Sequence, residues 1–301
     1  MAAAGPGPAP GLMRHALVFG ASGQIGRPLL DRLQREGWRV TAVSRRRHPD
    51  QPGLHWLQGA LPTLAGAPAR VDAIFSCGPL DGFARWYAQA AVECPRVVAF
   101  GSTSVEVKRG SADAEERALA QRLREGEEGV FAAAAARGAA ATLLRPTLIY
   151  GAGRDATLTR IAQLAGRWRC FPLPRGADGL RQPVHVEDLA AAAYACLGSA
   201  ASQGRAYAVP GGETLPYREM VARVLAVLEP RPTLVELPSP LFNLALLLAQ
   251  ASGRATDLGE AAVRRMRADL VFDAAPAQRD FGYAPRPFRV DASMFVARAE
   301  A

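Results

Sequence analysis

The segment Gly20-Ala21-Ser22-Gly23-Gln24-Ile25-Gly26 constrains this chain more than any other. It follows directly on the apolar run 16–19 and opens onto a stretch with helical spacing, 25–36, that closes at Gly37. A strand, a glycine turn and a helix in that order make the start of a βαβ unit, and each glycine has its own task there. Gly20 permits the tight turn, Gly23 lets the backbone come close to a phosphate, and Gly26 lets helix and strand pack closely. The helix N-terminus adds free N–H groups and the positive end of its dipole. Ser22, Gln24 and Ile25 lie between the glycines and are expected to line the same phosphate site.

The first half of the chain repeats this alternation. Strands are expected at 39–43, 55–57, 71–76, 96–100 and from 142, with helices at 83–92 and 114–136. Asp113, with Glu116 three residues on, reads as a capping box for the longer helix. RVVAF and ATLLRP are continuous apolar runs, as parallel strands buried on both faces require. The fold class is therefore α/β, a Rossmann-type doubly wound parallel sheet. After Gly151 the texture changes: Pro172, Pro174, Gly176, Gly179 and Pro183 crowd together, then a helix follows at 186–197, then Pro210-Gly211-Gly212. This predicts a dinucleotide-binding domain over 14–150 plus about 182–209, and a smaller C-terminal substrate lobe from 151–181 and 210–301. Residues 1–13, nearly all Ala, Gly and Pro, predict a disordered extension, with Met1 or Met13 as the start.

The end of the second strand bears on which dinucleotide is bound. A site for NAD carries Asp or Glu there to accept from the ribose 2′-OH. This chain reads Val43-Ser44-Arg45-Arg46-Arg47, with no acid before Asp50. A carboxylate would repel a 2′-phosphate, whereas Arg45 and Arg46 can pair with it, so NADP(H) is the expected cofactor. The alternative is a solvated basic loop. The net charge of +8 comes almost wholly from arginine, Lys108 being the only lysine. Apart from 45–47 the arginines are scattered and no aromatics interleave with them, so no nucleic-acid partner is expected. Cys77, Cys94, Cys170 and Cys196 are far apart, which argues against a disulfide framework or a metal site and for the reducing cytoplasm. No apolar run reaches the ~18 residues of a membrane span; 244–249 reads as a buried or interfacial helix. The N-terminus does not read as a secretory signal.

Residues 14–200 resemble the extended short-chain dehydrogenase/reductase family, the group of nucleotide-sugar epimerases and dehydratases, in several blocks that keep their order. GASGQIG is similar to its glycine motif and VVAFGSTSV to its fifth strand. The resemblance implies that Ser102 is the catalytic Ser/Thr, with Thr103 and Ser104 beside the substrate. LRPTLIYGAGR is similar to the sixth strand and the turn near the nicotinamide, which implies Pro146 and Thr147 at the cofactor and Arg154 toward the substrate. RQPVHVEDLA is similar to the family's RDxxHVxDLA block. It implies that Arg181 faces the diphosphate of a nucleotide sugar, a structural ion pair being the alternative. By the same precedent His185 and Asp188 are structural, fixing the returning strand and capping the helix after it. The family's habit of dimerising through its two long helices leaves a homodimer through 83–92 and 114–136 open.

The departures concern chemistry. The family's acid/base pair is a Tyr and a Lys spaced YxxxK on the long helix, the Lys lowering the Tyr pKa. No tyrosine lies between Tyr87 and Tyr150, and Lys108 precedes the helix. The family also has a Glu eight residues after the Tyr, here Glu127 or Glu128. The Tyr and Lys slots are then Leu119 and Leu123, or Ala120 and Arg124. Ala60 stands where the family has an Asp after the third strand, leaving the adenine to backbone alone. Two functions follow. One is an atypical NADP(H)-dependent oxidoreductase or epimerase-like enzyme acting on an anionic or nucleotide-linked small molecule, with Ser102 bonding a carbonyl. The other is a non-catalytic NADP(H)-binding sensor or assembly/scaffold protein.

Overall fold

A computed structural model describes residues 13–155, 157–251 and 260–295. The expected extension lies outside them except for Met13, which is exposed. The first half runs β1 (His15–Phe19), α1 (Gly26–Arg35), β2 (Arg39–Ser44), β3 (Leu54–Gln58), β4 (Ala73–Ser76) and α2 (Leu80–Gln89). It continues with β5 (Arg96–Phe100), α3 (Ser104–Val107), α4 (Ala114–Ala135) and β6 (Ala140–Pro146). Then come β7 (Ile149–Tyr150), α5 (Leu158–Trp168), β8 (Cys170–Pro174), β9 (Leu180–Arg181), β10 (Val184–His185), α6 (Val186–Leu197) and β11 (Arg205–Val209). The chain closes with β12 (Leu215–Pro216), α7 (Tyr217–Ala226), β13 (Thr233–Leu237), α8 (Ser239–Ala251), α9 (Glu260–Arg267) and α10 (Ala275–Phe281).

The central sheet has seven parallel strands in the order β3-β2-β1-β4-β5-β6-β11. Its middle strands are buried on both faces: every residue of β1 is buried, and Val97, Val98 and Ala99 of β5 are fully so. α1 turns Leu29, Leu30 and Leu33 onto one face of the sheet, where it lies beside α6. α2 and α4 cover the other face, with Phe83, Tyr87 and Val130 inward. The strand order reverses between β1 and β4, so the ends of these two strands form the crevice in which such sheets bind ligands. A third apolar cluster, around Tyr150, Leu158, Leu173, Met220 and Phe288, packs α5 and α7 with the pair β8-β13 away from the sheet.

Several boundaries differ from the sequence expectation. The helix expected at 83–92 is α2, three residues earlier. Pro79 caps its start, and Arg137 ends it by donating from Nη2 to the carbonyls of Ala88 (3.3 Å) and Ala90 (2.8 Å). The fourth strand begins at Ala73 rather than Val71, whose N–H bonds Glu93 instead (3.0 Å). Only half of the capping box forms. Asp113 accepts from the N–H groups of Glu115 (2.8 Å) and Glu116 (3.4 Å), but Glu116 does not reach back. Its carboxylate takes the Ser111 hydroxyl (2.8 Å) and pairs with Lys108 (3.4 Å) and with Arg265 of α9. Burial raises the Glu116 pKa, but Ser111, Arg265 and Lys108 outweigh it and the net shift is downward. On α8, Phe242 is buried while Leu241, Leu244 and Leu247 are exposed, which corrects the buried alternative for that run. No helix among the described residues is long and apolar enough to cross a membrane.

Candidate cofactor and active site

The glycine turn joins β1 to α1 at the strand-order reversal. Gly20 has φ +66°, and a Cβ there would stand 2.8 Å from the Cys77 carbonyl carbon. Only glycine meets both conditions. Burial pushes the neighbouring Cys77 thiol up to about 12, so it stays protonated. Gly23 N donates to Gly20 O (2.9 Å) and Arg27 N to Gly23 O (3.1 Å), which leaves the N–H groups between them at the mouth of the helix. A Cβ on Gly26 would collide with the Gly20 carbonyl and stand 2.7 Å from Ala21 Cα. These residues fit a phosphate-bearing dinucleotide: a turn without side chains, at a helix start, at the sheet's crevice. Gly26→Ala is expected to cost ~1–3 kcal/mol of stability through this overlap. Urea unfolding checks it, and an unchanged midpoint would show that α1 can move off the sheet.

Ser44 ends β2, where an NAD site would carry its acid. Its hydroxyl bonds Ser22 in the glycine turn (3.1 Å) and His48 Nε2 (3.1 Å), and accepts from Arg46 N (3.2 Å). Arg45, Arg46 and Arg47 are exposed. Arg46, Arg47, His48, Asp50, Trp56 and Gln58 line one cleft at the ends of β2 and β3. His48 lies on the Trp56 ring, centroids 4.2 Å apart. Asp50 is turned away to Trp56 N (2.7 Å) and His55 (2.8 Å). Sequence reasoning missed Arg47 and His48; the spacing Ser44 to His48 was the available signal, but β3 had to return alongside β2 to give it meaning.

At the tip of β5, Ser102 is half-buried and its Oγ accepts from Ser104 N (3.1 Å). Thr103 was expected beside a substrate. It is buried instead, and its hydroxyl donates to the Pro146 carbonyl (3.1 Å), tying β5 to β6. Thr147 likewise donates its hydroxyl to the Gln182 carbonyl. Below them Arg145 grips the buried Glu127 with Nε (2.8 Å) and Nη2 (2.5 Å), and Glu106 with Nη1 (2.8 Å). Glu128 is exposed.

Arg181 requires the largest correction. It is only 5% exposed. Its guanidinium donates to the carbonyls of Leu180 (2.7 Å), Ala268 (2.8 Å) and Arg265, holding the end of α9, and lies over the Tyr217 ring. Burial explains this use, because a guanidinium out of water must spend its donors on the backbone it meets. Arg154 goes elsewhere: it is exposed and donates to the Ser22 carbonyl in the glycine turn (3.1 Å). The two arginines that the resemblance turns toward a substrate therefore meet different partners, Arg181 the backbone around α9 and Arg154 the glycine turn. His185, not Asp188, caps α6, accepting from Glu187 N (3.3 Å). Burial, then the Arg286 charge, holds its pKa below the ordinary value, which keeps the ring neutral and able to accept. Asp188 binds Arg286 through its N–H (3.0 Å) and Nε (2.8 Å).

Residues 16–105 match the model of the NAD dependent epimerase/dehydratase family. Over 90% of its length the chain is 26% identical to the 2-alkyl-3-oxoalkanoate reductase of Stenotrophomonas maltophilia (strain K279a), covering 94% of that protein. Among solved structures, the terminal R domain of the myxalamid PKS-NRPS biosynthetic pathway superposes with a TM-score of 0.71 at 19% identity, over 95% of this chain and 90% of that one. MoeE5 in complex with UDP-glucuronic acid and NAD superposes with a TM-score of 0.65 at 21% identity, over 91% and 94%. The glycine turn, the parallel sheet order, the match over residues 16–105 and the superposed structures give this chain a Rossmann-type fold like that of the NAD dependent epimerase/dehydratase family.

Proposed function

We propose that the protein binds NADP(H) and works as an oxidoreductase or epimerase-like enzyme whose acid/base groups depart from the family pattern. The observation that carries this reading is the tip of β5. Ser102 Oγ accepts from Ser104 N and so keeps its own proton to donate to a carbonyl oxygen. The bound nicotinamide supplies or takes a hydride. The chain's residues bind and orient around it: Gly20, Ser22, Gly23, Gln24, Ile25 and Gly26 at the phosphates, and Pro146 and Thr147 along the nicotinamide side. In this reading the cofactor half comprises 14–150 with about 182–209, and 151–181 with 210–301 bear the substrate. The substrate class is a small carbonyl compound or a nucleotide-linked sugar, in keeping with the reductase and the UDP-sugar complex to which the chain is similar.

The grip of Arg145 on Glu127 rather than Glu128 favours the register that puts Leu119 and Leu123 in the Tyr and Lys slots. Neither can pass a proton. That same pair of leucines, with Thr103 and Arg181 engaged in the scaffold, supports the second reading, a non-catalytic NADP(H)-dependent sensor or assembly protein.

NADPH is expected to bind at least about 10-fold tighter than NADH, since a charge-assisted contact of ~1.5–3 kcal/mol corresponds to about 10- to 150-fold. Arg45→Ala and Arg46→Ala should each narrow the gap, and Arg47→Ala tests the third arginine of the run. Fluorescence titration with both cofactors measures it. Equal wild-type affinities would sink the NADP(H) assignment.

A further inference from the structure

We infer that Arg154 is a cofactor residue: it clamps the dinucleotide's pyrophosphate against the glycine turn from the segment that leads into α5. The inference rests on the cofactor reading above and adds a residue from outside the β1–α1 unit. Arg154 Nη1 donates to Ser22 O (3.1 Å), across 132 positions of sequence, so the guanidinium lies within one hydrogen bond of the turn itself. It also lines a cleft of 390 Å³ together with Gly23, Gln24 and Arg27 at the start of α1, and Gly151 and Ala152 on the opposite wall. Asp31, Glu187 and Asp291 line the same cleft; Glu187 is paired with Arg286 (2.9 Å) and Asp291 accepts from Ser293 N (2.9 Å).

The backbone bearing Arg154 is held firmly. Gly151 (φ +109°) and Gly153 (φ +63°) shape the turn before it. Asp155 directly after it is buried and accepts from the N–H groups of Thr157 (3.1 Å), Leu158 (2.5 Å) and Thr159 (3.0 Å) at the start of α5. A guanidinium on such an anchor keeps a defined position with little loop entropy to lose, and its planar fork suits two phosphate oxygens at once. The turn's N–H groups meet the pyrophosphate from the α1 side. Arg154 supplies the full positive charge that those dipoles lack, and it couples the segment entering α5 to occupancy of the cofactor crevice.

The test is binding, not turnover. Wild type, Arg154→Ala and Arg154→Lys are titrated with NADPH, NADH, ADP-ribose and 2′-AMP, with thermal melts to check that the exposed substitutions leave folding unchanged. The clamp predicts that Arg154→Ala weakens NADPH, NADH and ADP-ribose alike, by about 10-fold or more for a lost charge-assisted contact, and leaves 2′-AMP unaffected. Arg154→Lys, a point charge without the fork, should fall between, and its deficit should shrink as salt is raised. Unchanged NADPH affinity in Arg154→Ala, with wild type binding normally, overturns the clamp alone. A loss confined to NADPH and 2′-AMP moves Arg154 to the 2′-phosphate and overturns the pyrophosphate assignment. Wild type that binds none of the four overturns the cofactor reading, and the clamp with it.

Discussion

Mixed with NADPH and a panel of carbonyl compounds and nucleotide sugars, the protein is expected to turn over ~10²–10⁴-fold more slowly than a family member with its Tyr and Lys, which is what a positioned acid/base contributes. With Leu119 and Leu123 in the Tyr and Lys slots, as proposed above, neither side chain has a proton to give or a charge with which to hold a nicotinamide ribose. What remains is the Ser102 hydroxyl, which can polarise a carbonyl while water or substrate provides the proton. Restoring tyrosine at Leu119 alone should recover little, because an unassisted phenol keeps a pKa near ~10. The assay is NADPH oxidation, repeated with Ser102→Ala. Slow turnover abolished by Ser102→Ala supports the altered enzyme. Rapid turnover that survives it would mean the active site lies elsewhere. No turnover, with tight NADPH binding, favours the sensor or assembly role.

Arg145→Ala is expected to destabilise the fold by ~3–5 kcal/mol, the penalty for stranding a buried charge. Glu127 is 5% exposed, and Arg145 supplies both of its charge-assisted hydrogen bonds. The Arg145 pKa is raised chiefly by its hydrogen bond to Glu127, against the opposing effect of burial, so the guanidinium stays charged beside the carboxylate. Glu127→Ala should cost less, because Arg145 keeps Glu106 (2.8 Å) and is less deeply buried. Replacing both residues by leucine and methionine should recover much of the loss, since a packed apolar pair can match a buried ion pair. Urea unfolding of the four proteins measures this. A loss below ~0.5 kcal/mol in Arg145→Ala would place it among ordinary surface substitutions and refute the argument. The pair also bears on the site, for Glu127 Oε1 lies against Gly101, the residue before Ser102.

The glycine turn, the parallel strands and the long helices were legible in the chain because each depends on neighbours in sequence. GASGQIG needs only its own glycines and the apolar run before it, and α6 was expected at 186–197, where it stands. RVVAF shows burial on both faces in four consecutive apolar residues, Val97 to Phe100, with no partner needing to be known. Element ends were less legible. α2 stops where Arg137, nearly fifty residues on, takes its last carbonyls, and the capping box fails because Arg265 draws Glu116 away from the helix start.

The site divides in the same way. The residue types at the phosphate turn and the absence of an acid at the end of β2 are local facts, so the expectation of a dinucleotide site and the resemblance to the epimerase/dehydratase family could be read from sequence by itself. What the arginines do could not be read there. Arg154 and Arg181 look equivalent along the chain, yet one is exposed against Ser22 and the other buried beneath α9. Thr103 stands beside Ser102 and points its hydroxyl into the scaffold. A charged or polar group takes whatever partner its surroundings leave it, and burial decides whether that partner is backbone, carboxylate or ligand. Those surroundings are assembled from segments as much as 132 positions apart, so only the tertiary structure decided which of these side chains are spent on the fold and which face the crevice.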